Sequence, residues 1–148
     1  MRRRSILKEK KMRFMMMVFP KTFENKPGKI SDVKAFEAMG KYNDQLKKAG
    51  VLLAMDGLTP PSLGARVTFD GGKTKVTDGP FPEAKEVVGG YWIIEVKSRE
   101  EALEWASRIP GQENNLQMVE VRRVIEISDF DAEIQKKFAN SGAKLGKQ

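Results

Sequence analysis

The segment Thr77-Asp78-Gly79-Pro80-Phe81-Pro82-Glu83 places two carboxylates and one aromatic ring on a turn stiffened by two prolines. Two kinds of chemistry fit it. In one, Asp78 bonds backbone amides as the cap of an ordinary Asp-Gly, Gly-Pro turn, and Phe81 is tucked into the core. In the other, Asp78 or Glu83 faces a pocket as ligand anchor or general base, which requires desolvation to bring a carboxylate towards neutral pKa. Asp78 is the candidate catalytic residue on the second reading, with Phe81 and Glu83 as ligand-binding candidates.

Three more residues join that set. Asp56 closes a wholly apolar run, where it is either a pocket acid or the polar start of the turn from Gly57 to Pro61. Arg66 offers a bidentate fork to an anionic substrate, or simply faces solvent from a strand. Tyr42 presents its hydroxyl to a helix-sheet cleft, or is a core tyrosine with one hydrogen-bond partner.

Cysteine and histidine are both absent. That removes thiol nucleophiles, disulfides, imidazole bases and nearly all zinc or copper sites that need nitrogen or sulfur ligands. Gly89-Gly90 lacks the G-x-G-x-x-G frame and the helix start of a phosphate cradle, so it reads as a bend or bulge. The methionines at 15 to 17 read as flexible core filling. No metal site and no cofactor is expected.

The 148 residues, 40% hydrophobic and 32% charged, suit one domain with one core. The net charge of +7 sits in the ends: residues 1–11 carry +5, residues 136–148 carry +4, and the span between has 17 basic and 19 acidic groups. The globular part therefore offers phosphates no electropositive face, and nucleic acid is not an expected partner. Residues 1–11 lack the apolar stretch of a secretory signal and read as a basic extension, non-native or disordered. No apolar run approaches the ~20 residues of a membrane span, and a cytoplasmic location is expected.

The positioning elements follow from pattern. Phe14 to Phe19 is a continuous apolar run closed by Pro20, of the kind covered on both faces. Ser31 or Asp32 caps a helix whose Val33, Phe36, Met39, Tyr42 or Asn43, and Leu46 recur at spacings of three and four, ending at Gly50. Val51 to Met55 is a second strand, and Ala65–Phe69 and Lys73–Thr77 flank Asp70-Gly71-Gly72 as a hairpin. Tyr91 to Val96 is a strand, and Ser98-Arg-Glu-Glu101 is a capping box opening a second helix through Ile109. Met118 to Ile127 is the last strand, and Asp129 to Phe138 a short amphipathic stretch.

The order β, α, β, hairpin, β, α, β predicts an α+β, ferredoxin-like plan with an inserted β-hairpin, its antiparallel sheet covered by helices on one face. Trp92, Ile94 and Val96 alternate with Tyr91 and Ile93, so the bare face is also apolar. A homodimer through that open sheet face is expected.

The motifs Phe36-Glu-Ala-Met-Gly-Lys-Tyr-Asn43, Lys48-Ala-Gly-Val-Leu-Leu53, Gly64-Ala-Arg-Val67, Thr77-Asp-Gly-Pro-Phe81, Glu83-Ala-Lys-Glu86, Gly90-Tyr-Trp-Ile93 and Glu101-Ala-Leu-Glu-Trp105 occur in one order. Together they resemble the YCII-related, or DGPF-domain, family over about residues 12–128, leaving 129–148 as a short helix and Lys-rich tail. The resemblance implies a dimeric α+β barrel and an undefined biochemical role. It also implies candidate pocket positions at Asp78, Gly79, Pro80 and Phe81, and association with an extracytoplasmic-function sigma factor as an alternative, regulatory role. Some relatives are thought to use a His-Asp pair on small chlorinated aromatics, a mechanism closed to a chain without histidine. Binding of a small polar or aromatic molecule in a helix-sheet cleft is the leading expectation.

Overall fold

The computed structural model of the chain describes residues 10–22 and 31–142. Of the basic start (residues 1–11) and the Lys-rich end (residues 136–148), residues 1–9 and 143–148 lie outside the described residues, while Lys136 and Lys137 belong to the last helix.

Alternation in the first apolar run builds β1 (Met12–Pro20), in which Phe14, Met16 and Val18 are buried while Met15 and Met17 are half-buried on the other face. The same period runs through β5 (Gly90–Val96), where Trp92, Ile94 and Val96 are buried and Tyr91, Ile93 and Glu95 are half-buried. Together with β2 (Leu52–Gly57) and β6 (Leu116–Arg123), these strands form a four-stranded antiparallel sheet in the order β2-β5-β1-β6. The sheet is open, with no closed barrel among the described residues.

Two helices cover one face. In α1 (Val33–Lys48) the Asp32 carboxylate accepts from the Ala35 amide at 3.0 Å, and Gly50 supplies the left-handed residue after the last turn. In α2 (Arg99–Ser107) the Ser98 hydroxyl accepts from the Glu101 amide at 3.1 Å. Glu101 reaches back to the Lys97 amide at 3.0 Å, one residue before the cap, rather than to Ser98 itself. Tyr42 and Leu46 of α1 and Ala102 and Trp105 of α2 close the core against the buried sheet residues.

Three expectations change. Val33 and Phe36 were expected on the core face of α1, yet they are 65% and 75% exposed, because the first two turns stand clear of the sheet. The last strand was expected to run from Met118 to Ile127. It runs from Leu116 to Arg123, whose pairing with Phe14 is the last in the ladder, although the Val124 amide still bonds the Arg13 carbonyl. The chain then turns through Ile127–Asp129, where Asp129 accepts from the Glu126 amide at 2.7 Å. The amphipathic stretch begins later than expected, as α3 (Ala132–Ser141) capped by Asp131, and it buries no residue.

The hairpin expectation matches the structure: β3 (Ala65–Asp70) and β4 (Lys73–Asp78) pair about Gly71 and Gly72, both with positive φ. It forms a separate two-stranded sheet, with every residue of both strands exposed.

The cap on α2 carries a direct test. Ser98→Ala is expected to lower stability by about 1 kcal/mol in chemical denaturation, and an unchanged midpoint would contradict a helix start held by that hydroxyl.

Candidate functional site

Where α1 leaves the sheet, a cleft of about 350 Å³ opens. Its floor is Val18, Met55 and Trp92 and its wall is Met39 and Asn43 of α1. Glycine makes the gap. Gly57 pairs with Gly90 at the ends of β2 and β5, and alternation puts both on the helix-facing side with Met55 and Trp92. A Cβ on Gly57 would meet nothing nearer than the Gly89 carbonyl oxygen at 4.0 Å. One on Gly90 would press on the Asp56 carbonyl oxygen at 3.0 Å and approach Val18 at 3.7 Å. The two strands thus end without side chains where the helix has already lifted away.

One polar side chain on the helix wall is firmly placed. The Trp92 indole Nε1–H donates to Asn43 Oδ1 at 2.8 Å, and since an indole nitrogen can only donate, the bond also fixes which way the carboxamide points. Asp56 and Tyr91 border the cleft, but as a directly opposed pair they carry their side chains on the other face of the sheet. There the Tyr91 hydroxyl donates to Asp56 Oδ2 at 3.1 Å, and that bond with the neighbouring carboxylate raises the Tyr91 pKa.

The six candidate residues separate into three places. Arg66, Phe81 and Glu83 meet at the root of the hairpin: Arg66 Nη1 donates to Glu83 Oε1 at 2.7 Å, and the guanidinium stacks 3.8 Å from the Phe81 ring centroid. The group is open to water, so its ion pair is worth at most about 1 kcal/mol. Asp78 ends β4 beside them, exposed, and its carboxylate makes no hydrogen bond among the described residues. The turn is held instead by the Gly79 amide on the Gly64 carbonyl at 2.9 Å. A Cβ on Gly79 would lie 1.8 Å from the Pro61 carbonyl oxygen, so only glycine fits there. Phe81 is covered by Arg66 and is half-buried, not part of the core. Asp56 borders the cleft, but its carboxylate is with Tyr91 on the other face of the sheet. Tyr42 is buried behind the cleft, where its hydroxyl donates to the Trp105 carbonyl at 2.8 Å.

Among the described residues no cluster of acidic side chains is placed to hold a metal ion, and no helix is long and apolar enough to cross a membrane.

The YCII-related domain family matches residues 12–128. The chain belongs to that family. An uncharacterized protein of Rhizobium meliloti (strain 1021) is 30% identical to this YCII-related protein over 94 residues, 64% of this chain and 76% of the relative. The matched span takes in the whole four-stranded sheet, the hairpin and both core helices.

Asn43, Trp92 and Gly57 line the cleft without having been singled out as site residues from sequence. A signal did exist: Asn43 is a polar residue at a core spacing of α1, and the Gly89-Gly90 pair precedes an apolar strand. Neither becomes a site until the register sets Gly57 opposite Gly90.

Burial raises the Tyr42 pKa far above its ordinary value of 10.0. The fold therefore favours the neutral phenol, and this contribution is complete below pH 10.0 and is lost as pH rises from there towards the folded value. Tyr42→Phe is expected to cost about 1 kcal/mol at neutral pH, because the Trp105 carbonyl keeps the Arg108 amide as a partner. In denaturation measured from pH 7 to 11 the gap between wild type and variant should narrow above about pH 10. A gap that does not change with pH would contradict a buried, neutral Tyr42.

Proposed function

We propose that this YCII-related protein is a homodimer that binds a small polar or aromatic molecule in the cleft between α1 and the ends of β2 and β5. The observation that carries the reading is the cleft itself, of about 350 Å³, kept empty of side chains by paired glycines and floored by Trp92. Ligand sites are commonly apolar concavities from about 300 Å³ upwards with a few fixed polar groups.

Support for the dimer comes from the sheet. Its uncovered face carries Met15, Met17, Tyr91 and Ile93 at the centre, with Arg13, Glu120 and Arg122 around them. An apolar centre with a charged surround suits an isologous contact. The strand order β2-β5-β1-β6 with helices on one face supports a ferredoxin-like plan, and two such sheets face to face would make the dimeric α+β barrel.

A second reading is an interaction module, with an extracytoplasmic-function sigma factor as one partner. The hairpin favours it, because β3 and β4 hold Val67, Phe69 and Val76 on one exposed face, clear of the four-stranded sheet.

Two measurements test the leading reading. Sedimentation is expected to give a dimer that Ile93→Glu converts to monomer, and a wild-type monomer would overturn the dimer. A thermal-shift screen of small acids, phenols and neutral aromatics is expected to yield compounds that raise the wild-type midpoint but not that of Gly57→Leu, whose side chain fills the cleft. Compounds that raise both equally would move binding away from the cleft, and a screen without any shift would turn the balance to the interaction module.

A further inference from the structure

We infer that the occupant of the cleft is an uncharged ring compound bearing a hydrogen-bond acceptor, a carbonyl above all, recognised by Asn43; this rests on the cleft being the binding site. Three observations lead there.

The first is charge. Val18, Met39, Met55 and Trp92 surround the space, and among the described residues no cationic side chain lines it. The titratable groups at its border, Asp56 and Tyr91, are bonded to each other on the opposite face of the sheet. A carboxylate or phosphate entering from water would lose its hydration without gaining a cation. A primary ammonium would find only the second lone pair of Asn43 Oδ1, the first taking the Trp92 Nε1–H, and no carboxylate on the helix side.

The second is the direction of the carboxamide. With Oδ1 already accepting from the indole, the two Nδ2 protons are the groups of Asn43 with no partner among the described residues. A ligand that satisfies them must accept. A site built to donate discriminates against an analogue without an acceptor, because the donor would be left desolvated and unpaired.

The third is size and shape. An apolar protein cavity of about 150 Å³ holds benzene, so a space of about 350 Å³ takes one substituted ring with its acceptor arm. Alongside Trp92, the flexible Met39 and Met55 can adjust to ring substituents, as methionine does at adaptable binding surfaces.

Asn43 thereby becomes the residue that sets specificity, and Gly57 and Gly90 the residues that make room. The test uses three probes of one shape on the full chain by titration calorimetry: acetophenone, benzoate and ethylbenzene. Acetophenone is expected to bind wild type at least about tenfold more tightly than either of the others. Asn43→Leu, of similar shape, is expected to erase the preference for acetophenone over ethylbenzene, and Gly57→Leu to abolish binding of both. Benzoate binding as tightly as acetophenone would overturn the inference, while its loss in Gly57→Leu would leave the cleft standing as the site. Probe binding that survives Gly57→Leu would overturn the cleft itself, and no binding of any probe would overturn the inference. If Asn43→Leu does not fold, the wild-type ranking of the three probes decides.

Discussion

Tyr42 is clasped edge-on between two tryptophans. Its ring centroid is 5.4 Å from Trp92 at an interplanar angle of 79°, and 6.4 Å from Trp105 at 72°. Edge-to-face contacts of this kind add to plain area burial, and the Tyr42 hydroxyl on the Trp105 carbonyl gives the clasp a fixed direction. Through this one side chain α1 is locked to β5 and to α2 at once. Leu46, one turn further on and fully buried, continues the contact towards the end of the helix. In the other direction Met39 is the last residue of α1 that lines the cleft, and beyond it Phe36 and Val33 stand in water. The clasp thus decides where helix and sheet part, and the glycine pair decides that the gap between them stays unfilled.

Much of this was readable from sequence because the signals are local. The apolar run of β1, the alternation of β5, the Asp32 and Ser98 caps and the glycine turn of the hairpin each follow from residues within a few positions of one another. What could not be read depends on tertiary placement. The period of α1 marks Val33 and Phe36 as equal to Tyr42 and Leu46, and only the tilt of the helix separates the exposed pair from the buried one. The last pairing of β6 joins Arg123 to Phe14, 109 residues away in sequence, and beyond it Arg123 turns to Asp129. The register of β2 shifts by an extra residue at Leu53, and that shift brings Gly57 opposite Gly90. Without it the glycines at 89 and 90 look like a simple bend.

The turn that carries the family's most recognisable residues has a structural explanation of its own. Gly79 lets the chain pass against the Pro61 carbonyl, and Arg66 bridges Phe81 and Glu83 across the hairpin root. These contacts fix an arm whose strands pair only with each other, and an isolated two-stranded hairpin is marginal in water. The segments that lead out of the root return to the cleft: the Leu58 amide bonds the Gly89 carbonyl at 3.0 Å, immediately beside the paired glycines. A rigid root therefore also pins the mouth of the cleft, linking the two groups of candidate residues through backbone and not through shared side-chain chemistry.

The most direct test of the cleft as the binding site is a proton-nitrogen correlation spectrum of the labelled protein titrated with acetophenone. The Trp92 indole N–H and the Asn43 side-chain amide are expected to shift most, with the amides of Gly57 and Gly90 following, while Arg66 and Phe81 stay still. Shifts gathered at Arg66, Phe81 and Glu83 with Trp92 and Asn43 unmoved would contradict the account and return the site to the hairpin root.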